Sequence, residues 1–295
     1  MNSTSILDQI GNTPLVTSKV LLNKPNVTLL FKLEGNNPGG SVKDRPAYNM
    51  IKSALERGDI SEKTKLIEAT SGNTGIALAM IAGLFHLDLE LVMPENSTKE
   101  RIQTMRAYGA KLTLTPADVG IEGARDYAEN KVKNEGYVML NQFGNDDNWK
   151  AHYKTTGPEI WRDTDGKITH FVSSMGTTGT IMGTSTFLKE KNHKIQIVGV
   201  QPTDESRIPG IRKWPEEYLP KIFDPKKVDQ VIEVSETEAR AMAKELAKKE
   251  GVFSGMSSGG AVSAALKLAE TIDKGVIVVI ICDRGDRYLS SDLFD

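Results

Sequence analysis

Four short segments of the sequence are rich in glycine and small polar residues, and each falls where a predicted strand passes into a predicted helix. They are GSVKDR (40–45), TSGNTG (70–75), GTTGT (176–180) and GMSSGG (255–260). Backbone N–H groups at the start of a helix, with hydroxyl groups beside them, bind phosphate or carboxylate groups without a buried cation. The four segments are therefore candidate anion-binding loops. For any one of them, a turn that only caps a helix or packs it on a strand is the alternative.

GTTGT follows the apolar run ITHFVSS and opens a helix, which is the position where helix N–H groups bind phosphate. It lacks the lysine of the nucleoside-triphosphate motif GxxxxGK[ST], and the sequence has no GxGxxG motif for a dinucleotide. The predicted phosphate loop therefore consists of Gly176, Thr177, Thr178, Gly179 and Thr180. TSGNTG offers hydroxyl and N–H groups for a second, smaller anion, for which an α-carboxylate is the natural candidate.

Lys43 lies between the turn NNPGGS and a helix that has Pro46 in its first turn. A lysine held at such a turn and partly desolvated has a lowered pKa, and its amine can form an imine with a carbonyl cofactor. Considered alone, Lys43 is better explained as a surface lysine. Together with a phosphate loop and a carboxylate loop, it indicates pyridoxal phosphate, with the imine on Lys43 and the phosphate on GTTGT.

Composition and charge argue against several other classes of protein. The chain has 295 residues with 37 Lys and Arg against 39 Asp and Glu, and no basic run interleaves with aromatic residues, so no nucleic-acid partner is expected. The four histidines lack metal-ligand spacing and Cys282 has no CxxC partner, so no metal site is expected. No GxSxG motif supports a hydrolase triad.

The longest apolar stretches are 76–85 and 275–282, well short of the roughly 18 residues that a membrane span needs. The N-terminal residues lack the basic and apolar regions of a signal peptide, and a single cysteine makes no internal disulfide. We therefore expect a cytoplasmic protein without a membrane partner, acting on a small molecule.

Short apolar runs rich in β-branched residues alternate with helix-period stretches from about residue 28 onward, which predicts an α/β fold with a parallel sheet covered on both faces. The predicted strands are 28–34, 65–69, 87–93, 111–115, 137–142, 168–174, 194–201, 228–234 and 275–282. Helices are predicted to begin near Asp44, Asn73, Thr98 and Glu236, the last one ending at Gly251. Doubly wound sheets bind ligands at the carboxyl ends of their strands, where the anion-binding loops are expected.

Eight segments, spread over nearly the whole chain, resemble the fold-type II pyridoxal phosphate enzymes. They are EGNNPGGSVKDR, EATSGNTGIALAMIA, MRAYGA, TTGPEIW, SSMGTTGT, PGIRKWP, GMSSGGA and ICDRGDRYLS. Within that family they are most similar to the O-acetylserine sulfhydrylases of the B type, the cysteine synthases B. The resemblance implies a fold like that of the tryptophan synthase β chain, with two three-layer αβα domains and the active site in the cleft between them.

The resemblance also implies domain limits, a subunit arrangement and residue roles. The smaller, mobile domain would comprise 35–146, and the larger one 1–34 with 147–295, carrying the phosphate loop; the usual assembly of the family is a homodimer. Lys43 matches the Schiff-base lysine and general base, Asn73 the residue that binds the 3′-oxygen of the cofactor, and Ser257 the partner of the pyridine nitrogen. The residues that match the group holding the substrate carboxylate are Thr70, Ser71, Thr74 and Gln142.

The implied reaction replaces the acetoxy group of O-acetyl-L-serine with a sulfur nucleophile, through an α-aminoacrylate, to give L-cysteine and acetate. Arg212, in PGIRKWP, could line the same cleft and attract a dianionic donor, so thiosulfate is expected to serve beside sulfide and to give S-sulfocysteine. Related β-replacements, as in cystathionine β-synthase or a lanthionine synthase, remain open. A non-catalytic amino-acid sensor is the alternative from another class, against which the intact Lys43 argues.

Overall fold

A computed structural model describes residues 5–295 of the chain. Its strands are β1 (Leu15–Thr17), β2 (Val27–Leu33), β3 (Lys65–Ala69), β4 (Asp88–Pro94), β5 (Lys111–Thr115), β6 (His170–Ser174), β7 (Gln196–Pro202), β8 (Gln230–Val234) and β9 (Gly275–Ile281). They form two sheets, one with six strands in the order β1-β2-β9-β6-β7-β8 and one with three in the order β3-β4-β5. The α/β class expected from the alternating pattern is confirmed.

The α-helices are α1 (Asp44–Arg57), α2 (Asn73–Leu84), α3 (Lys99–Ala107), α4 (Gly120–Glu135), α5 (Asp146–Lys154), α6 (Thr156–Asp163), α7 (Gly179–Lys191), α8 (Glu236–Glu245) and α9 (Met256–Thr271). The predicted starts of α1 and α2 are observed at Asp44 and Asn73. The helix predicted to reach Gly251 changes after Glu245 into a π-helical turn, which Gly251 ends at φ +68°.

Two details of the predicted sheet are wrong. β1 pairs antiparallel with β2, whereas all other ladders are parallel; its three residues are too few to show a period in the sequence. The predicted strand 137–142 is reduced to a single bridge between Leu66 and Val138. Pairing stops there because Asn141 adopts φ +54° and its N–H donates to the carboxylate of Glu68 instead of to a strand.

Both faces of the parallel ladders are buried, which explains the continuous apolar runs in the sequence. Every side chain of β9 from Ile277 to Ile281 is buried, as is every residue of α2 from Thr74 to Ala82. The three-stranded sheet lies within 35–146 and the six-stranded sheet outside it. A division into two domains at these limits stays a prediction.

A buried ionic cluster joins β2, α1 and α6 beneath the turn that carries Lys43. Arg45 Nε lies 2.7 Å from Glu34 Oε2, and Arg45 Nη1 lies 2.7 Å from Glu159 Oε1. Lys32 Nζ reaches the other oxygen of Glu159 at 2.8 Å. Burial would raise the pKa of the Glu159 carboxyl, but the hydrogen bonds and charges of Arg45 and Lys32 outweigh it and lower that pKa to about 2. The cluster therefore anchors the first turn of α1.

Candidate active site

A cavity of about 450 Å³ lies where the segments that follow β3, β6 and β9 meet. All of the predicted site residues except Gly179 line it: Lys43, Thr70, Ser71, Asn73, Thr74, Gln142, Gly176, Thr177, Thr178, Thr180, Arg212 and Ser257. The four anion-binding loops are thus observed around one cavity, although they are up to about two hundred positions apart in the sequence. The role of each residue stays a prediction.

Lys43 is half-buried and precedes the first residue of α1. The segment before it is tied to the end of β9, because Ser41 and Asp283 form a bridge and Val42 N–H donates to Cys282 O at 2.8 Å. Exclusion of water lowers the pKa of the Lys43 ammonium, and this effect outweighs the negative charge of Asp283, which acts in the opposite direction. The lysine is thus both fixed in position and more readily deprotonated than a surface lysine.

The phosphate loop shows strain and an unpaired polar group. Thr178 adopts φ +69° and ψ −5°, a left-handed conformation that a β-branched residue rarely takes. Its side chain is buried, and its Oγ1 makes no hydrogen bond within residues 5–295. The first turn of α7, whose N–H groups lack intrahelical partners, follows directly. A buried free hydroxyl beside a helix N-terminus fits a phosphate group, so these residues suit the phosphate of pyridoxal phosphate.

Neighbouring elements leave no space for side chains in the phosphate loop. A Cβ on Gly176 would lie 2.7 Å from Gly210 O, and one on Gly179 would lie 2.0 Å from Asn148 Oδ1. Trp214 Nε1 donates to Gly176 O at 2.7 Å, and Asn148 Nδ2 lies 3.2 Å from Thr177 Oγ1. The loop is therefore held from both sides, which favours a pre-formed anion site.

The carboxylate loop TSGNTG contacts the segment that was predicted to serve with it. Thr74 Oγ1 donates to Gln142 Oε1 at 2.8 Å, and both side chains are buried. Asn148 Nδ2 also donates to Gln142 O at 2.7 Å, so the Asn148 amide connects Gln142, the partner of Thr74, with Thr177 of the phosphate loop. Thr70 and Ser71 lie before α2 on the cavity wall. The arrangement presents hydroxyl, amide and N–H donors toward one region of the cavity.

Ser257 lies in the first turn of α9 and is buried beside Cys282. Its carbonyl accepts a hydrogen bond from Ser174 Oγ at 2.8 Å, which ties α9 to the end of β6. Burial raises the pKa of the Cys282 thiol to about 11, so this group is a neutral thiol at the cavity wall. Ser257 likewise presents an uncharged hydroxyl group at the cavity wall.

His152, one of the four histidines without metal-ligand spacing, contacts the phosphate loop through Thr180. Its Nδ1 lies 2.8 Å from Thr156 Oγ1 and its Nε2 lies 3.3 Å from Thr180 Oγ1. Burial lowers the pKa of the imidazole to about 3, with the charge of Arg45 adding to the effect, so the ring is neutral. The contact with Thr180 had no signal in the sequence, since the two residues belong to different helices.

Sequence reasoning also missed two of the cations that line the cavity. Arg101 on α3 lies over the ring of Tyr288 at 5.0 Å, and Arg125 on α4 lies over the ring of Phe143 at 5.3 Å. Arginines on helices are usually solvated, so only the packing of α3 and α4 against the cavity identifies them. Arg212 is exposed at the mouth.

Within residues 5–295, no group of three or more His, Cys, Asp or Glu side chains is arranged to hold a metal ion. No helix in the same part of the chain is both long enough and apolar enough to cross a membrane.

Comparisons with known proteins agree with this geometry. A family model described as pyridoxal-phosphate dependent enzyme matches residues 6–283. The chain is 58% identical to the cysteine synthase B of Pseudomonas aeruginosa over 292 residues, which cover 99% of this chain and 97% of that protein.

Two solved structures extend the comparison. The crystal structure of a cysteine synthase from Entamoeba histolytica has a TM-score of 0.94 and 38% identity, covering all of this chain and 91% of that one. An O-acetylserine sulfhydrylase, isoform 3, from the same organism has a TM-score of 0.89 and 37% identity, covering all of this chain and 92% of that one.

Proposed function

Since this chain belongs to the family of pyridoxal-phosphate dependent enzymes, we propose that it is a cysteine synthase. It replaces the acetoxy group of O-acetyl-L-serine with a sulfur nucleophile, giving L-cysteine and acetate. The observation that carries this proposal is the convergence of Lys43, the phosphate loop and the carboxylate loop on one cavity, in a chain so similar to cysteine synthases. The cofactor is pyridoxal phosphate.

When bound, pyridoxal phosphate supplies an aldehyde that forms imines with amines and a ring that withdraws electrons from the substrate α-carbon. Lys43 is proposed to hold the cofactor covalently, and then, as a free amine, to take the proton from the α-carbon. The lowered pKa of its ammonium suits that general base. Gly176, Thr177, Thr178, Gly179 and Thr180 would bind the phosphate.

The remaining residues orient the substrate and set the course of the reaction. Thr70, Ser71, Thr74 and Gln142 would bind the α-carboxylate of the amino acid and hold its β-carbon toward the donor. Ser257 would meet the pyridine nitrogen with a neutral hydroxyl. A carboxylate there would keep that nitrogen protonated and favour transamination, so the hydroxyl favours loss of the β-substituent.

The proposed function is tested by supplying the purified, cofactor-loaded protein with O-acetyl-L-serine and, in parallel, sulfide, thiosulfate or homocysteine. We expect cysteine and acetate in equal amounts with sulfide. A protein that forms cystathionine at a far higher rate than cysteine would instead be a cystathionine synthase. A protein that neither takes up the cofactor nor turns over O-acetyl-L-serine would contradict the assignment.

Thiosulfate is proposed as a second donor, and Arg212 as the residue that favours it. The backbone N–H of Arg212 donates to the backbone carbonyl of Met175 at 2.8 Å, and this hydrogen bond holds Arg212 next to the phosphate loop. The adjacent Lys213 is already paired, at 2.6 Å with Asp204 and at 2.7 Å with Glu233. The Arg212 guanidinium has no carboxylate partner within residues 5–295, so its charge is available to a dianion.

Replacing Arg212 by alanine is expected to lower kcat/KM for thiosulfate about tenfold, which is about 1.4 kcal/mol of binding to the transition state. The sulfide reaction should change less than about threefold, because that donor carries less charge for the guanidinium to meet. Lys213→Ala is the matched control, since its charge is neutralised by Asp204 and Glu233. Equal losses with both donors, or a parent protein inactive with thiosulfate, would exclude this role of Arg212.

The proposal includes a homodimer and a cytoplasmic location, both taken from the resemblance and the composition. Light scattering of the purified protein should give twice the chain mass of 32.3 kDa. A mass of one chain over the whole range of concentrations measured would contradict the dimer. The single cysteine, Cys282, needs no oxidising compartment, because it lies at the cavity wall without a disulfide partner.

A further inference from the structure

The side-chain amide of Asn73 is held at both ends by residues that follow β9 of the other sheet. Asn73 Nδ2 donates to Asp283 Oδ2 at 2.7 Å, and Arg287 Nη1 donates to Asn73 Oδ1 at 2.8 Å. Asn73 begins α2, which follows β3 of the three-stranded sheet, whereas Asp283 and Arg287 lie in the segment that follows β9 of the six-stranded sheet. We call Asp283 and Arg287 the amide clamp.

The chemistry of the clamp allows only one orientation of the amide. A carboxylate accepts hydrogen bonds and a guanidinium only donates them. If the Asn73 amide were flipped, its NH₂ group would face the guanidinium and its oxygen would face the carboxylate, and both hydrogen bonds would be lost. In the observed orientation one N–H of Nδ2 is used by Asp283, and the second is left as a donor for a ligand in the cavity that Asn73 lines.

Both clamp residues are buried and held by further contacts. Asp283 Oδ1 accepts from Gly255 N–H at 3.1 Å, and Asp283 Oδ2 accepts from Tyr288 OH at 2.5 Å. Arg287 donates to the carbonyl of Gly39, in the turn before Lys43. The clamp therefore connects Asn73 with the turn before the lysine and with the start of α9, where Ser257 lies.

The burial of Arg287 is not explained by stability alone. Its side chain is almost fully buried, yet its Nε makes no hydrogen bond within residues 5–295. An unpaired buried donor destabilises the folded protein, because it loses its hydrogen bonds to water. Within that part of the chain Arg287 forms no ion pair, although its charge acts on the nearby buried Asp44, and the side chain that accepts a hydrogen bond from it is the Asn73 amide.

We propose that Arg287 and Asp283 are positioning residues, which fix the Asn73 amide so that its free N–H meets the 3′-oxygen of pyridoxal phosphate. The inference rests on the proposed function and on the proposed contact between Asn73 and the cofactor. Asn73 begins α2 and the clamp residues follow β9. The clamp therefore also couples the orientation of the Asn73 amide to the position of α2 relative to the end of β9.

The test compares Arg287→Met with the parent protein by titrating pyridoxal phosphate into the cofactor-free protein. We expect the dissociation constant to rise about tenfold and the visible band of the bound cofactor to shift, since the amide is free to turn. Arg284→Met is the matched control. Arg284 belongs to the same segment, is exposed and pairs with Asp286, and it should change neither quantity.

A double-mutant cycle separates positioning from a merely structural role. If Arg287 acts through Asn73, then Arg287→Met in an Asn73→Ala background should raise the dissociation constant less than about twofold. An equal tenfold loss in both backgrounds would overturn the proposal, as would an unchanged constant and band in the single variant. Failure of the proposed function would show differently, as a parent protein that binds no cofactor.

If Arg287→Met does not fold, Arg287→Lys tests the proposal in its place. A lysine keeps one cationic donor for the two oxygens that Arg287 serves, Asn73 Oδ1 and Gly39 O. We expect an intermediate rise in the dissociation constant, about threefold, again confined to the background that retains Asn73. The same rise in the Asn73→Ala background would count against the clamp.

Discussion

Replacing Lys43 by alanine is expected to lower the rate of cysteine formation by at least about a thousandfold, while the protein stays folded. A positioned general base contributes roughly 10² to 10⁴ in rate, and the same amine also holds the cofactor. The variant should still bind pyridoxal phosphate weakly, because the phosphate loop and Ser257 lie on elements that do not depend on the lysine. The measurements are the initial rate with O-acetyl-L-serine and sulfide, and the absorbance of the bound cofactor.

Lys52→Ala is the matched control for Lys43→Ala. Lys52 lies on α1, the helix that Lys43 precedes; it is about half exposed, forms an ion pair with Glu56 at 3.9 Å and lies over the ring of Tyr48. It should keep the parent rate and the parent absorbance spectrum. A Lys43→Ala protein with a near-normal rate, and with melting behaviour like that of the control, would show that the amine of Lys43 is not the base.

Replacing Arg45 by methionine is expected to destabilise the protein by about 3 to 5 kcal/mol. The change leaves Glu34 and Glu159 buried without the guanidinium that pairs with both of them. At roughly 2 to 4 °C per kcal/mol for a chain of this size class, the melting temperature should fall by about 10 °C. Arg57→Met, at an exposed position of the same helix with ion pairs to Asp59 and Asp147, should lower the melting temperature far less, because ion pairs of an exposed arginine contribute little.

In the Arg45→Met variant, the free energy of unfolding should also depend less on pH in the acid range. The pKa of Glu159 is about 2 in the folded protein, below its usual value of 4.5. Its ionised form therefore stabilises the parent above pH 4.5, and that stability is lost as the pH falls from about 4.5 toward 2. In Arg45→Met this part of the acid transition should shrink. A melting temperature and an acid transition equal to those of Arg57→Met would refute the role of the cluster.

Local sequence determined the elements and the loop chemistry. Asn73 before an apolar run and Asp44 ahead of Pro46 predicted the starts of α2 and α1, because the residue preferences of a helix start act within one turn, although neither helix has a side-chain cap. The glycine-rich loops were recognisable for the same reason. The reason that Gly176 and Gly179 must be small lies outside the loop, because a Cβ at either position would collide with Gly210 or Asn148 of another segment.

Only the tertiary structure decided which side chains share the cavity and how each is held. The clamp of Asp283 and Arg287 on Asn73 spans more than two hundred positions, and the contact of His152 with Thr180 joins two helices. No periodicity or spacing encodes such pairs. Sequence patterns also do not identify Arg101 and Arg125 as cavity residues, because each resembles an ordinary arginine on a solvated helix face. Their environment is set by packing on rings that other elements carry, Tyr288 for Arg101 and Phe143 for Arg125, which no helical pattern encodes.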